Sequence, residues 1–217
     1  MKKVALILSG CGVYDGSEIY ETVLTMLSLE NHSAVFQCFA PDIEQLHVIN
    51  HLTGEVVEGE RRNVLVEAAR LARGEIKNLE QAKVDDFDAV IVPGGFGAAK
   101  NLSDFAVKGA DMTVLPQVLD FLQGMHKASK PVGLICIAPT MAAAIFGDGI
   151  KCTVGNDPDV SAAITAMGGA HQGCTVEETC IDEVHKLVTT PAYMLAGSIA
   201  EAAKGINRCV REVLNMA

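Results

Sequence analysis

Short apolar runs alternate with amphipathic stretches along the whole chain. Val4–Leu8 is apolar at every position, and Ala89–Val92 repeats the pattern; Val132–Ile135 differs only by Gly133. Unalternated runs of this length fit strands covered by helices on both faces. Ala34–Phe39 and Lys186–Thr189 extend the series, and Lys151–Val154 is strand-like too. Between these runs the period lengthens to that of a helix. Ser17 is placed to cap a first helix whose Ile19, Val23, Leu24 and Leu27 share one face. Val64–Arg73, Leu115–Lys130, a helix entered through Pro139, a stretch around Ala162–Met167 and a terminal segment from about Ser198 complete the helical set. Residues 40–63 break the rhythm. His47 to Val57, with Thr53-Gly54 at its turn, predicts a small inserted β-hairpin. No linker or internal repeat interrupts the series, so residues 1–217 read as one doubly wound α/β domain with a mainly parallel sheet and helices on both faces.

Composition narrows the function. Hydrophobic residues make up 49% of the 217 and charged residues 20%, which excludes disorder and coiled coil. The net charge of −10 argues against nucleic acid or an anionic membrane as partner, since both need clustered Lys and Arg. A small molecule is the expected ligand. The seven cysteines contain no C-x-x-C pair, and the chain is expected to be reduced and cytoplasmic. Leu8-Ser9-Gly10-Cys11 imitates a lipoprotein signal, but the five apolar residues before it fall short of the ~7–15 such a signal needs. His171 and Cys174 form an isolated H-x-x-C, too little for a metal, and no phosphate-cradling glycine fingerprint is present. Neither metal nor cofactor is expected.

In an open parallel sheet the ligand sits beyond the carboxyl ends of the strands. Three loops with unusual residues leave strand ends: Gly10–Gly16, Pro93–Gly97 and the turn at Cys136. Cys136 lies directly between a strand and a helix, where a sharp turn exposes the side chain and the helix N-terminus should hold the thiol pKa down. A buried structural cysteine is the competing reading. The glycines of Pro93–Gly97 allow close backbone approach and offer N–H groups to a developing oxyanion. Glu18, just after the first Gly-rich loop, is either a charge favouring the helix dipole or an acid/base leaning over the thiol.

Several long motifs then carry a resemblance. Leu6–Ile19, Val92–Leu102, Leu134–Pro139, Asn50–Glu55 and Thr189–Met194 resemble the ElbB family, the enhancing lycopene biosynthesis or isoprenoid biosynthesis proteins with amidotransferase-like domain. That family is PfpI-like, within the class I glutamine amidotransferase superfamily. The resemblance implies a flavodoxin-like fold with Cys136 as nucleophile and Glu18 as the carboxylate touching it. It implies an oxyanion site at the N–H groups of Gly95 and Ile137, with Gly94 beside them. Gly10, Cys11, Gly12 and Asn101 are expected at the substrate pocket. The implied activity is a glutathione-independent glyoxalase of the hydro-lyase type, turning the dicarbonyl glyoxal into glycolate without cofactor. A homodimer is implied too, and the hairpin offers Val48, Ile49, Val56 and Val57 for the contact.

The departures narrow this further. Superfamily proteases carry His directly after the nucleophile, where this chain has Ile137; amidotransferases carry a late His-x-Glu, and His185 is followed by Lys186. The usual G-x-C-x-G elbow reads Leu134-Ile135-Cys136-Ile137-Ala138. Peptidase and glutaminase chemistry thereby lose their base. Two alternatives remain, a non-catalytic regulator and a redox sensor that oxidises Cys136.

Overall fold

The computed structural model describes residues 1–217. Its strands are β1 (Lys3–Ile7), β2 (Val35–Ala40), β3 (Ile49–Asn50), β4 (Glu55–Val56), β5 (Ile76–Asn78), β6 (Ala89–Val92), β7 (Val132–Ile135), β8 (Lys151–Cys152), β9 (Ala170–His171), β10 (Cys180–Asp182) and β11 (Leu187–Thr190). Seven of them form one sheet in the order β10-β11-β7-β6-β1-β2-β5. All pairings are parallel except β10 with β11 at the edge. The core order β2-β1-β6-β7-β11 is the flavodoxin-like 2-1-3-4-5, with its reversal between β1 and β6. Alternate residues feed opposite faces: Ala5, Ile7, Val90 and Val92 join one apolar core, and Val4, Leu6, Ala89 and Ile91 the other.

The helices are α1 (Ile19–Asn31), α2 (Val64–Ala68), α3 (Phe96–Lys100), α4 (Phe105–Lys108), α5 (Pro116–Lys127), α6 (Ala142–Phe146), α7 (Pro158–Ala166) and α8 (Ile199–Met216). No helix is long and apolar enough to cross a membrane. The hairpin forms as β3 and β4, antiparallel around Asn50 and Glu55. Its Val48 and Ile49 are buried within the chain, so the expected intersubunit contact loses two of its four residues.

Three local features depart from the sequence reading. Lys151–Val154, read as strand-like, forms only the two-residue β8, which pairs with β9 outside the seven-stranded sheet. Edge strands β5 and β10 have three residues each and were not foreseen. The third departure concerns α1, which is turned over. Of the four residues expected on its core face, Ile19, Val23 and Leu27 face outward and only Leu24, half-buried, packs against the core, while the buried side carries Glu21, Thr22, Thr25, Ser28 and Leu29. The hydroxyls tolerate burial because each has a partner. Thr22 and Thr25 donate to the carbonyls of Glu18 and Glu21 at 2.8 and 2.7 Å, and Ser28 donates to Asn207 Oδ1 of α8 at 2.8 Å. This inversion carries Glu21 into the interior.

Candidate active site

The site gathers where β1, β6, β7 and β11 end. Cys136 follows β7 with φ 62°, a left-handed conformation rare for a residue with a side chain. Its N–H donates to Thr190 O of β11 at 2.9 Å, which anchors the turn. The chain then runs through a tight helical turn, Ala138–Met141, before α6. Strained backbone at a strand-to-helix elbow marks functional sites. The residue is nevertheless buried, only 7% exposed.

Gly94 makes room for that thiol. A side chain at Gly94 would place its Cβ 2.9 Å from Cys136 Sγ and 2.8 Å from Glu21 Oε2, and closer still to Cys136 Cβ. Glu21 is fully buried. Its Oε2 accepts from Gly94 N–H at 2.9 Å, its Oε1 accepts from Tyr193 N–H at 3.1 Å, and the carboxyl group lies beside the Cys136 thiol, with Gly94 packed against both. Burial, with the nearby Glu18 charge adding to it, raises the Glu21 carboxyl to about 7 against the opposing hydrogen bonds. Burial likewise pushes the Cys136 thiol up, and the Glu21 charge pushes in the same direction; the N–H groups of Gly95 and Ile137 oppose both. The expected lowering of the thiol pKa is therefore reversed. The cause is local: the elbow leads into a tight turn and a five-residue helix, too little dipole to offset the burial.

Glu18 was expected against the thiol, and the structure gives it another post. It caps α1, its Oε2 accepting from Glu21 N–H at 2.6 Å, while its own N–H donates to Gly94 O at 3.0 Å. It still lines the cavity in front of Cys136, and burial raises its carboxyl pKa. Gly95 and Ile137 line that cavity too, with Gly95 at φ 92°. Gly94 is the exception among the expected oxyanion donors, because its N–H is already taken by Glu21.

Gly10, Cys11, Gly12 and Asn101 do not line this cavity. Gly12 packs against the ring of His51, and Gly10 against Gly16 and Gln45, so this loop supports the inserted hairpin. Asn101 is a buried tie: Nδ2 donates to Ser9 O and Asp15 O at 2.9 Å each, and Oδ1 accepts from Leu46 N–H at 3.0 Å. From the first loop only Val13 reaches the cavity. Its remaining walls include Phe96, Phe105, Asp157, Val160 and Met194, and its volume is about 340 Å³.

Fold and elbow together define a doubly wound α/β protein with a cysteine at the ligand-binding end of its sheet. The chain belongs to the DJ-1/PfpI family, whose pattern matches residues 11–192. The human glutamine amidotransferase-like class 1 domain-containing protein 3, mitochondrial, is 46% identical over 223 residues, covering 99% of this chain and 83% of that protein. A crystal structure of an isoprenoid biosynthesis protein with amidotransferase-like domain from Ehrlichia chaffeensis is 38% identical, with TM-score 0.93 over 100% of this chain and 99% of that one. This agrees with the resemblance drawn from the motifs. The glyoxalase III of Candida albicans has the same fold at 12% identity, with TM-score 0.62 over 99% and 97% of the two chains.

The expectation of a cytoplasmic location is overturned. The human relative and the ES1 proteins of rat and zebrafish, 45% and 34% identical, are all named mitochondrial. All seven cysteines are free, but free thiols speak to redox state and do not tell one reducing compartment from another.

Proposed function

We propose that the chain is a cofactor-independent enzyme that converts glyoxal to glycolate, with Cys136 as nucleophile and Glu21 as its acid/base partner. The observation that carries this reading is the placing of the buried Glu21 carboxyl beside the buried Cys136 thiol, where a Cβ on Gly94 would lie 2.8 Å from the one and 2.9 Å from the other; burial raises that carboxyl to about 7. A carboxylate with so high a pKa is a competent base near neutrality.

The proton inventory closes. As sulfur adds to one aldehyde carbon, the thiol proton passes to Glu21 and the C=O electron pair moves onto oxygen. Glu21 returns that proton, leaving a neutral hemithioacetal. The N–H groups of Gly95 and Ile137 offer hydrogen bonds to the charge that develops there. Glu21 then removes the C–H proton from the sulfur-bearing carbon while the neighbouring carbonyl oxygen takes one from water. The resulting enediol regains a proton on the second carbon and releases the hydroxyl proton of the first. One carbon is oxidised to a thioester and the other reduced to an alcohol. Water then breaks the C–S bond, giving glycolate and restoring the thiol. No hydride acceptor is needed.

The fold shared with the Candida glyoxalase III supports this reading as analogy. The raised pKa of the Cys136 thiol weighs against a stand-alone oxidant sensor, which needs a persistent thiolate. The test is glycolate formation from glyoxal in the absence of glutathione and added metal. Wild type should produce it and Cys136→Ala should fall to background. Undiminished turnover by Cys136→Ala overturns the proposal.

A further inference from the structure

We infer that the preferred substrate is an uncharged 2-oxoaldehyde bearing an aromatic or branched apolar substituent, and that the cavity turns anionic carbonyl compounds away. This rests on the reading of Cys136 as the nucleophile.

Size is the first argument. The cavity holds about 340 Å³. A two-carbon dialdehyde displaces little more than two or three waters at ~30 Å³ each, so most of the space lies empty around it. The walls say what fills the remainder. Val13, Phe96, Phe105, Ile137, Val160 and Met194 present an apolar surface, and covering apolar surface is worth roughly 25 cal/mol per Å². Such a wall rewards a side chain on the substrate and gains nothing from glyoxal.

Charge is the second argument. The charged groups lining the cavity are Glu18 and Asp157, and neither Lys nor Arg joins them. Lys100 lies over the ring of the lining residue Phe96, 5.3 Å from its centroid, but it is committed elsewhere: Nζ donates to Tyr14 O at 2.9 Å. A carboxylate or phosphate on the substrate would meet two like charges with no counter-ion. Both acids are fixed by helix caps, Glu18 on Glu21 N–H at 2.6 Å and Asp157 on Val160 N–H at 2.9 Å, so neither can swing away without uncapping its helix.

The experiment reads selectivity at the thiol rather than turnover, so it stands whether or not glyoxal is converted. Cys136 of the full chain is alkylated with iodoacetamide, iodoacetate or N-benzyl-iodoacetamide, its labelling rate followed by peptide mass spectrometry and normalised to N-acetylcysteine. The benzyl reagent should label at least about tenfold faster than iodoacetamide, the gain expected from burying a ring. Iodoacetate should be at least about tenfold slower, and Asp157→Asn, which keeps the cap, should recover about threefold of that loss. In turnover, phenylglyoxal should exceed glyoxal in kcat/KM. Equal rates for iodoacetate and iodoacetamide, no gain for the benzyl reagent, or no labelling of Cys136 by any of the three would overturn the inference. Intact labelling selectivity without glycolate formation would instead count against the proposed reaction alone.

Discussion

Gly94 and Cys136 are packed so closely that the glycine hydrogen facing the thiol occupies the only space available: a Cβ there would lie 2.9 Å from Sγ. Gly94→Ala should therefore force the thiol or the Glu21 carboxylate out of place. Overpacking of this kind costs about 1–3 kcal/mol. Chemical denaturation should register that loss, and the labelling rate of Cys136 should change with it. An alanine variant with wild-type stability and labelling would mean that the site yields more easily than its geometry implies.

Glu21 makes stability depend on pH. Its carboxyl rises from an ordinary 4.5 to about 7 in the folded chain, so between those values the native state holds more protons than the unfolded state. Stability contributed by this group is then greatest below pH 4.5 and falls as pH rises toward 7, by up to about 3 kcal/mol. Glu21→Gln should flatten the slope in that window. Denaturation midpoints at pH 5 and pH 7.5, in wild type and variant, check the sign.

Self-association is the third expectation. With Val48 and Ile49 buried, the hairpin is a poor contact, whereas the outward row Ile19, Tyr20, Val23 and Leu27 of α1 remains uncovered. A homodimer of about 46 kDa, twice the 22.9 kDa chain, is expected by light scattering, since closed pairs are the commonest symmetric assembly. Val23→Glu should shift it toward monomer. A wild-type mass of one chain at micromolar concentration would dismiss the dimer.

What the sequence made legible follows from what each feature depends on. Runs such as Val4–Leu8 and Ala89–Val92 announce buried parallel strands because burial on both faces requires them to be apolar throughout. The elbow at Cys136 is legible because strand, cysteine and Pro139 are adjacent in the chain. Glu21 was missed for a different reason. The apolar row Ile19, Val23, Leu24 and Leu27 reads as the core face of α1, which puts Glu21 on the solvent side. The packing chooses the other face, where small hydroxyl residues bond back to the helix and to α8. The recurrence of Glu21, Thr25 and Ser28 was the available signal, and hydrophobicity outweighs it in any pattern count. Asp157, Val160 and Tyr193 come from segments distant in sequence, and only the closed sheet brings them to the cavity. Asn101 shows the converse: a polar residue in a long motif, reached by two loops, whose work is to hold those loops together.

The central claim is that Glu21, and not Glu18, handles protons for Cys136. It is tested most directly by glycolate production from glyoxal in Glu21→Gln and Glu18→Gln, side by side at pH 8, with folding checked by circular dichroism. Removing a general acid/base group typically lowers the rate by ~10²–10⁴. Glu21→Gln should show a loss of that size, and Glu18→Gln, which keeps an oxygen for the α1 cap, should stay within a few-fold of wild type. A folded Glu21→Gln variant that forms glycolate at the wild-type rate would contradict the account.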